Sequence, residues 1–209
     1  PCTWIGHATC YFELNNIKFI TDPVFGDRAS PISFYGPKRF FPAGLNINEM
    51  VNNNMIDYVL LSHTHYDHMC KESLYSIGNK ATWVVPLGVK ELLEDDYGIT
   101  NCIEMNWWDK HIIDIPAPST STSTEAEAEA LVPKTIEVSF TPAKHWTARH
   151  FFDRNTCLWG SFVIHSPEIR MKANQNDHDH NHKHKHNENN DDEIIIPAKK
   201  VFFSGEIGR

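Results

Sequence analysis

The sequence predicts an α/β domain built in layers, and three observations carry that reading. Short apolar runs at Ile56–Leu61 and Ala81–Pro86 have the length and composition of buried strands, and Ile103–Met105 reads as a further strand. Between them lie segments with helical spacing, Glu72–Ile77 and Gly88–Asp96, the latter presenting Val89, Leu92 and Leu93 on one face. The result is β-α-β-α-β alternation, the pattern of a layered α/β fold. Directly after the first apolar run comes His63-Thr64-His65-Tyr66-Asp67-His68, at the strand end where such folds place functional loops.

Taken in order, Thr3–Leu14 is rich in β-branched and aromatic residues and reads as a strand. Asn15-Asn16 turns the chain, and Ile17–Thr21 returns as the second arm of a hairpin. Asp22-Pro23 ends that arm, because proline removes a ladder donor. Phe25–Leu45 is punctuated by Gly and Pro and reads as a long loop. Further on, Ile136–Phe140 and Lys200–Ser204 read as strands. Two stretches are excluded from the core: 117–130, with Ser/Thr and then Glu-Ala repeats, and 174–193, almost entirely Asn, His, Asp, Lys and Glu. Neither can bury enough apolar surface to offset its ordering entropy, so both are expected to be disordered inserts in surface hairpins. The chain is expected to be one domain, 1–209, carrying these two inserts.

Composition narrows the function. The 209 residues carry 27 acidic and 19 basic side chains, a net charge of −8. A nucleic-acid partner is therefore not expected, since phosphate recognition needs a surplus of Lys and Arg. The five cysteines (Cys2, Cys10, Cys70, Cys102, Cys157) are scattered, which fits a reducing compartment better than a disulfide framework. Cys70 has no base beside it in sequence and is expected to be an inert thiol. No apolar run approaches the ~20 residues of a membrane span, and no secretory signal opens the chain. An intracellular location is expected, cytoplasmic or peripheral on a membrane.

His63, His65, Asp67 and His68 are donors that zinc prefers. One loop cannot wrap four ligands around a single ion with good geometry. Splitting them is easier, with His63 and His65 on one metal and Asp67 and His68 on a second, ~4 Å apart. Zinc, iron and manganese all remain open for such a donor set. The histidines of the second insert, His178 to His186, lie in low-complexity sequence, and a solvated loop is the favoured reading there.

The HxHxDH run after an apolar strand resembles the metallo-β-lactamase superfamily. Within it, the chain is similar to the N-acylphosphatidylethanolamine-hydrolysing phospholipase D family. The similar stretches are TWIGHAT (3–9), DPVFGDRASPISFYGPKRF (22–40), SHTHYDH (62–68), WVVPLGV (83–89), FTPAKHW (140–146), LWGS (158–161) and FFSGEIG (202–208). The resemblance implies a metallo-β-lactamase αββα sandwich holding two zinc ions. It implies His63, His65 and His145 on the first zinc, Asp67 and His68 on the second, and Glu206 bridging them. It also implies cleavage of a phospholipid at a membrane surface into N-acylethanolamine and phosphatidic acid, with water as nucleophile. The position of Tyr66 touches substrate in that family, and packing on the strand below is an equal alternative. His7 falls in the first strand and matches no family ligand, so a structural role is expected.

Two departures stand out. The family carries Asp where this chain has Glu206, and a further zinc-ligating His on a later strand falls beyond Arg209. The sandwich is accordingly expected to be incomplete at its C-terminus and the chain shortened at both ends. Two other readings follow: a catalytically inactive relative serving as a binding module, and a metallo-hydrolase of soluble esters or phosphodiesters. Arg28–Phe41 mixes basic and aromatic residues and suits either a lipid headgroup layer or core packing. A homodimer is left open.

Overall fold

The computed structural model describes residues 1–32, 34–116, 135–149, 152–172 and 193–205. The sheet that carries the site has six strands in sequence order: β1 (Cys2–Gly6), β2 (Thr9–Leu14), β3 (Ile17–Thr21), β4 (Tyr58–Leu60), β5 (Thr82–Pro86) and β6 (Cys102–Met105). β1, β2 and β3 run antiparallel, and β3 to β6 are parallel. Asn15 and Asn16 close the β2–β3 hairpin with φ of 50° and 64°, the double left-handed turn that matches strand twist. The opening stretch is not one strand as the composition suggests. It breaks at Gly6 (φ 148°) and His7 (φ 49°), and β1 folds back onto β2.

Three α-helices lie among the described residues, α1 (Ile47–Asn52), α2 (Lys71–Ile77) and α3 (Val89–Tyr97). No periodic pattern marks α1, which is six residues long. It exists because the Asn46 side chain accepts from the amides of Asn48 and Glu49, while Ile47, Met50 and Val51 are buried. Gly98, in the left-handed region at φ 65°, ends α3 and returns its amide to the Glu94 carbonyl. All three helices pack on one face of the sheet, against Ile20, Val59, Leu61, Trp83 and Val85.

The other face of the same sheet presents Phe12, Leu14, Phe19, Leu60 and Val84 to a second sheet. That sheet comprises β7 (Lys110–Asp114), β8 (Thr135–Thr141), β9 (Ser161–Ser166) and β12 (Lys199–Phe203), ordered β12-β9-β8-β7 and antiparallel throughout. Ile136, Val138 and Phe140 alternate inward along β8, as the twofold period of a strand requires. β4 and β5 sit between helices and second sheet, so their residues are buried whichever way they point; this is why they read as unbroken apolar runs. A two-stranded ribbon of β10 (Ile169–Lys172) and β11 (Glu193–Ile196) completes the described strands.

Of the stretches expected to be inserts, 117–130 and 174–193, all but Glu193 lies outside the described residues, and Glu193 begins β11. The strands flanking them are antiparallel partners, with Asp114 opposite Thr135 and Lys172 opposite Glu193. Among the described residues no helix is long and apolar enough to cross a membrane.

Candidate metal centre

β4 delivers the chain to the C-terminal end of the parallel strands, where Leu61 still pairs with β5 through its amide on the Val84 carbonyl. The loop that follows is tight, because the carbonyl of His65 accepts from the amides of both His68 and Met69. This curvature turns His63 and His65 toward one point. His145, four residues beyond the end of β8, arrives there from the second sheet. His63 Nε2 lies 2.9 Å from His65 Nδ1 and 3.0 Å from His145 Nε2, and the His145–His65 separation is 3.2 Å. Three nitrogens around one zinc at ~2.0–2.1 Å stand roughly 3.3 Å apart in tetrahedral geometry. The donor set and its convergence therefore fit a metal ion.

A second group consists of His7, Asp67 and His68, whose ligand atoms all lie within 4.8 Å of one another. His7 Nε2 is 3.2 Å from Asp67 Oδ2, and His68 Nε2 is 3.8 Å from the same oxygen. Asp67 and His68 are adjacent in the loop, so their side chains leave it in different directions from His63 and His65. The His63 and His68 rings are themselves 4.1 Å apart, and Asp22, His63 and His68 form a third group of the same kind between the other two.

Behind both groups stands Asp22, fully buried, which sequence had assigned only to a strand end. Its Oδ2 accepts from His68 Nδ1 at 2.6 Å and from Ser62 Oγ at 2.6 Å, while Oδ1 accepts from the Ser62 amide at 2.7 Å. Ser62 Oγ in turn lies 2.9 Å from His63 Nδ1. With Ser62 donating to Asp22, this contact requires His63 Nδ1 to carry the proton. One carboxylate thus orients both rings, accepting from His68 Nδ1 directly and, through Ser62, placing a proton on His63 Nδ1. This is the outer-shell arrangement that orients imidazole ligands.

Arg149 holds the loop from the other side. Its guanidinium is buried and donates to the carbonyls of Thr64 (3.0 Å) and Met69 (2.9 Å) and to the Tyr97 hydroxyl (3.2 Å). It also lies 4.4 Å over the Tyr66 ring, and the Tyr66 hydroxyl donates to the Arg149 carbonyl at 2.8 Å. The hydroxyls of Thr64 and Thr147 are hydrogen-bonded to each other. Trp146 meets the His65 ring edge-on at 4.4 Å.

Burial, reinforced by the neighbouring imidazoles of His68, His65 and His145, holds His63 neutral far below the ordinary histidine range. Burial alone would raise the Asp67 carboxyl, but the hydrogen bond from His7 and the charge of His68 outweigh it, leaving Asp67 well below the usual carboxylate range. Below pH ~6.5 the unfolded chain takes up a proton that folded His63 refuses, so stability falls as pH falls. For metal-free protein the expected loss from His63 is about 2 kcal/mol in all between pH 7 and 5, read by urea unfolding, with the slope approaching ~1.4 kcal/mol per pH unit only at the acid end. Asp67 adds to the same trend at lower pH. Its depressed value contributes stability above the ordinary carboxylate range, and that contribution is lost as pH drops through it.

Glu206 lies outside the described residues. Gly205 before it does not: at φ 61°, a Cβ there would sit 2.8 Å from Ser62 Cβ and 3.2 Å from the Gly160 carbonyl. The turn after β12 therefore rests on the residue that links Asp22 to His63. Gly205→Ala combines left-handed strain with this overlap. It is expected to cost about 1–3 kcal/mol by thermal unfolding.

Beside the second group opens a cleft of about 410 Å³, lined by His7, Asp67, Lys38 and Arg39 among others. The loop supplying Lys38 and Arg39 also carries Phe34, Tyr35, Phe40 and Phe41, which are 82%, 72%, 97% and 82% exposed. Among the described residues these aromatics pack into neither of the two cores. Of the residues with roles here, sequence reasoning missed Asp22, Arg149 and the placement of His7. Each is a lone side chain whose only local signal is an ordinary turn or loop.

Residues 18–172 match the beta-lactamase superfamily domain. The chain is 33% identical over 169 residues to the N-acyl-phosphatidylethanolamine-hydrolyzing phospholipase D 1 of Caenorhabditis elegans, covering 78% of this chain and 42% of that protein. It is 32% identical over 167 residues to a mitochondrial N-acyl-phosphatidylethanolamine-hydrolyzing phospholipase D of Saccharomyces cerevisiae, with 78% and 31% covered. The chain thus spans less than half the length of these relatives. In fold it is similar to an isothiocyanate hydrolase from Delia radicum gut bacteria, at a TM-score of 0.51 and 13% identity over 78% of this chain and 57% of that one. With its two facing sheets, its helices on one side and its His/Asp groups at the strand ends, the chain has the metallo-β-lactamase fold and belongs to the beta-lactamase superfamily of metallo-hydrolases.

Proposed function

We propose that this chain is the core of a zinc-dependent hydrolase that cleaves N-acylphosphatidylethanolamine to N-acylethanolamine and phosphatidic acid. The observation that carries the reading is the juxtaposition of two His/Asp groups, a cleft with Lys38 and Arg39, and four exposed aromatics on one loop. A soluble substrate gives no reason for such a patch, whereas a lipid surface does. The names of the two relatives point the same way.

In this reading His63, His65 and His145 hold one zinc, and Asp67 and His68 hold the other. Glu206 is the remaining acidic candidate and directly follows Gly205 in sequence. Bound zinc would supply water activation near neutral pH and Lewis-acid stabilisation of a phosphoryl oxygen. Asp22 keeps the His68 ring oriented and, through Ser62, the His63 ring. Lys38 and Arg39 set positive charge where a phosphodiester would lie. Tyr66 borders the site with its hydroxyl committed to the Arg149 carbonyl, so its ring is the part available to substrate.

The test is release of N-acylethanolamine from vesicles containing N-acylphosphatidylethanolamine, assayed with zinc. Turnover confined to water-soluble esters would sink the lipid assignment, and no turnover on either would favour an inactive relative. Replacing Phe40 and Phe41 by Ser is expected to weaken vesicle binding at least roughly tenfold, read by sedimentation, because each aromatic buried at an interface is worth about 1.5–3 kcal/mol.

A further inference from the structure

We infer that His7 is a third protein ligand of the second metal, which would make His7, Asp67 and His68 a two-histidine, one-carboxylate face. The inference rests on the dinuclear reading above and adds to it a residue from outside the histidine run and outside the His145 segment.

Distance argues first. A protonated imidazole nitrogen donating to an ionised carboxylate normally sits 2.7–2.9 Å from it. The His7 Nε2 to Asp67 Oδ2 separation is 3.2 Å. The pair is a loose hydrogen bond at that length, and the distance also falls within the ~3.0–3.4 Å between neighbouring donors on one ion with bonds near 2.1 Å; His68 Nε2 stands somewhat farther from the same oxygen, at 3.8 Å. The rings of His7 and His68 stand 5.1 Å apart at 67°, edge to face, so both can present a nitrogen to the space beside Asp67.

Backbone conformation argues second. His7 occupies the left-handed region at φ 49°, in the turn where β1 folds back on β2. Its carbonyl is held there by the Trp4 indole at 2.8 Å. Glycine or asparagine would occupy this position with less strain, and strain at a bulky residue is a feature of functional sites. The His7 side chain is half exposed and packs into no core, so burial does not account for it.

Position argues third. His7 and Asp67 are on the same wall of the Lys38/Arg39 cleft. Three protein donors on one side of an ion leave its remaining positions open, as catalytic sites require. Those positions would face the cleft that an anionic substrate enters.

The experiment compares the wild-type chain of 209 residues with His7→Ala and His7→Gln, measuring zinc affinity by chelator competition and the visible absorption of the cobalt-substituted protein. Every variant carries the same His-rich stretch, so differences between them report the site. Gln keeps a hydrogen-bond donor for Asp67 but is a poor metal ligand. Both variants are expected to retain one tight metal and to lose the second by a factor on the order of a hundred or more, with half of the cobalt spectrum altered. Two outcomes overturn the inference and leave the dinuclear reading standing. Either both variants bind two metals as wild type does, or Gln restores what Ala loses, which would make His7 a positioning residue. A wild-type chain that takes up a single metal overturns both.

Discussion

Asp22→Ala is expected to lower metal affinity 10- to 100-fold and to destabilise the protein by about 3–5 kcal/mol. Both effects come from one carboxylate. Removing it leaves the Ser62 amide and hydroxyl without their acceptor in a site closed to water, and it frees the His68 ring to rotate. The His63 tautomer is released at the same stroke, because Ser62 Oγ then has no reason to point its proton away from His63 Nδ1. Asp22→Asn separates the two effects. It keeps the volume but carries a single acceptor oxygen, so stability should recover in part while metal affinity stays low. Chelator competition and urea unfolding, run side by side, check both. A variant that bound metal like wild type would remove Asp22 from the account of the site.

Arg149→Ala is expected to cost about 3–5 kcal/mol, close to the upper range for single substitutions. The guanidinium satisfies the carbonyls of Thr64 and Met69, one inside the histidine run and one just past its end. It thereby fixes the width of the loop that sets the spacing of His63, His65, Asp67 and His68. Its loss leaves buried carbonyls unpaired and a void under Tyr66. For a domain of this size the melting temperature should fall by about 2–4 °C per kcal/mol. Arg149→Lys should rescue little, since an ammonium cannot reach two carbonyls and the Tyr97 hydroxyl in one plane.

The contrast between these residues and the histidine run explains what was legible in the sequence. Val59, Leu60 and Leu61 announce a doubly buried strand, and three histidines and an aspartate after them have little alternative use. Those elements therefore read directly, as do β5, α3 and the Asn15-Asn16 hairpin. His145 was found only through the resemblance of its neighbours. Asp22 and Arg149 had no such signal: one precedes a proline, the other sits in an irregular segment, and their importance arises from contacts 40 and 80 or more residues away. His7 was misplaced for a different reason. The composition of Thr3–Leu14 is that of a strand throughout, and a single glycine, Gly6, marks the reversal. α1 was hidden by its length and its asparagines, and β7 by the charged residues of a half-exposed strand.

The stretch between Thr141 and Gly160 carries His145, Thr147 and Arg149, each bonded to a loop on the opposite sheet. It is a bridge whose near anchors are a zinc-type donor trio and a threonine pair rather than a ladder. With a metal on His63, His65 and His145 as proposed, local opening of this bridge and release of that metal would be one event. Amide exchange there should slow in proportion to metal saturation, by RT ln(1 + [metal]/Kd) in opening free energy, while amides of β4 and β5 respond only to global unfolding. Occupancy of the centre could be read from the backbone of a segment that contributes a single donor to it.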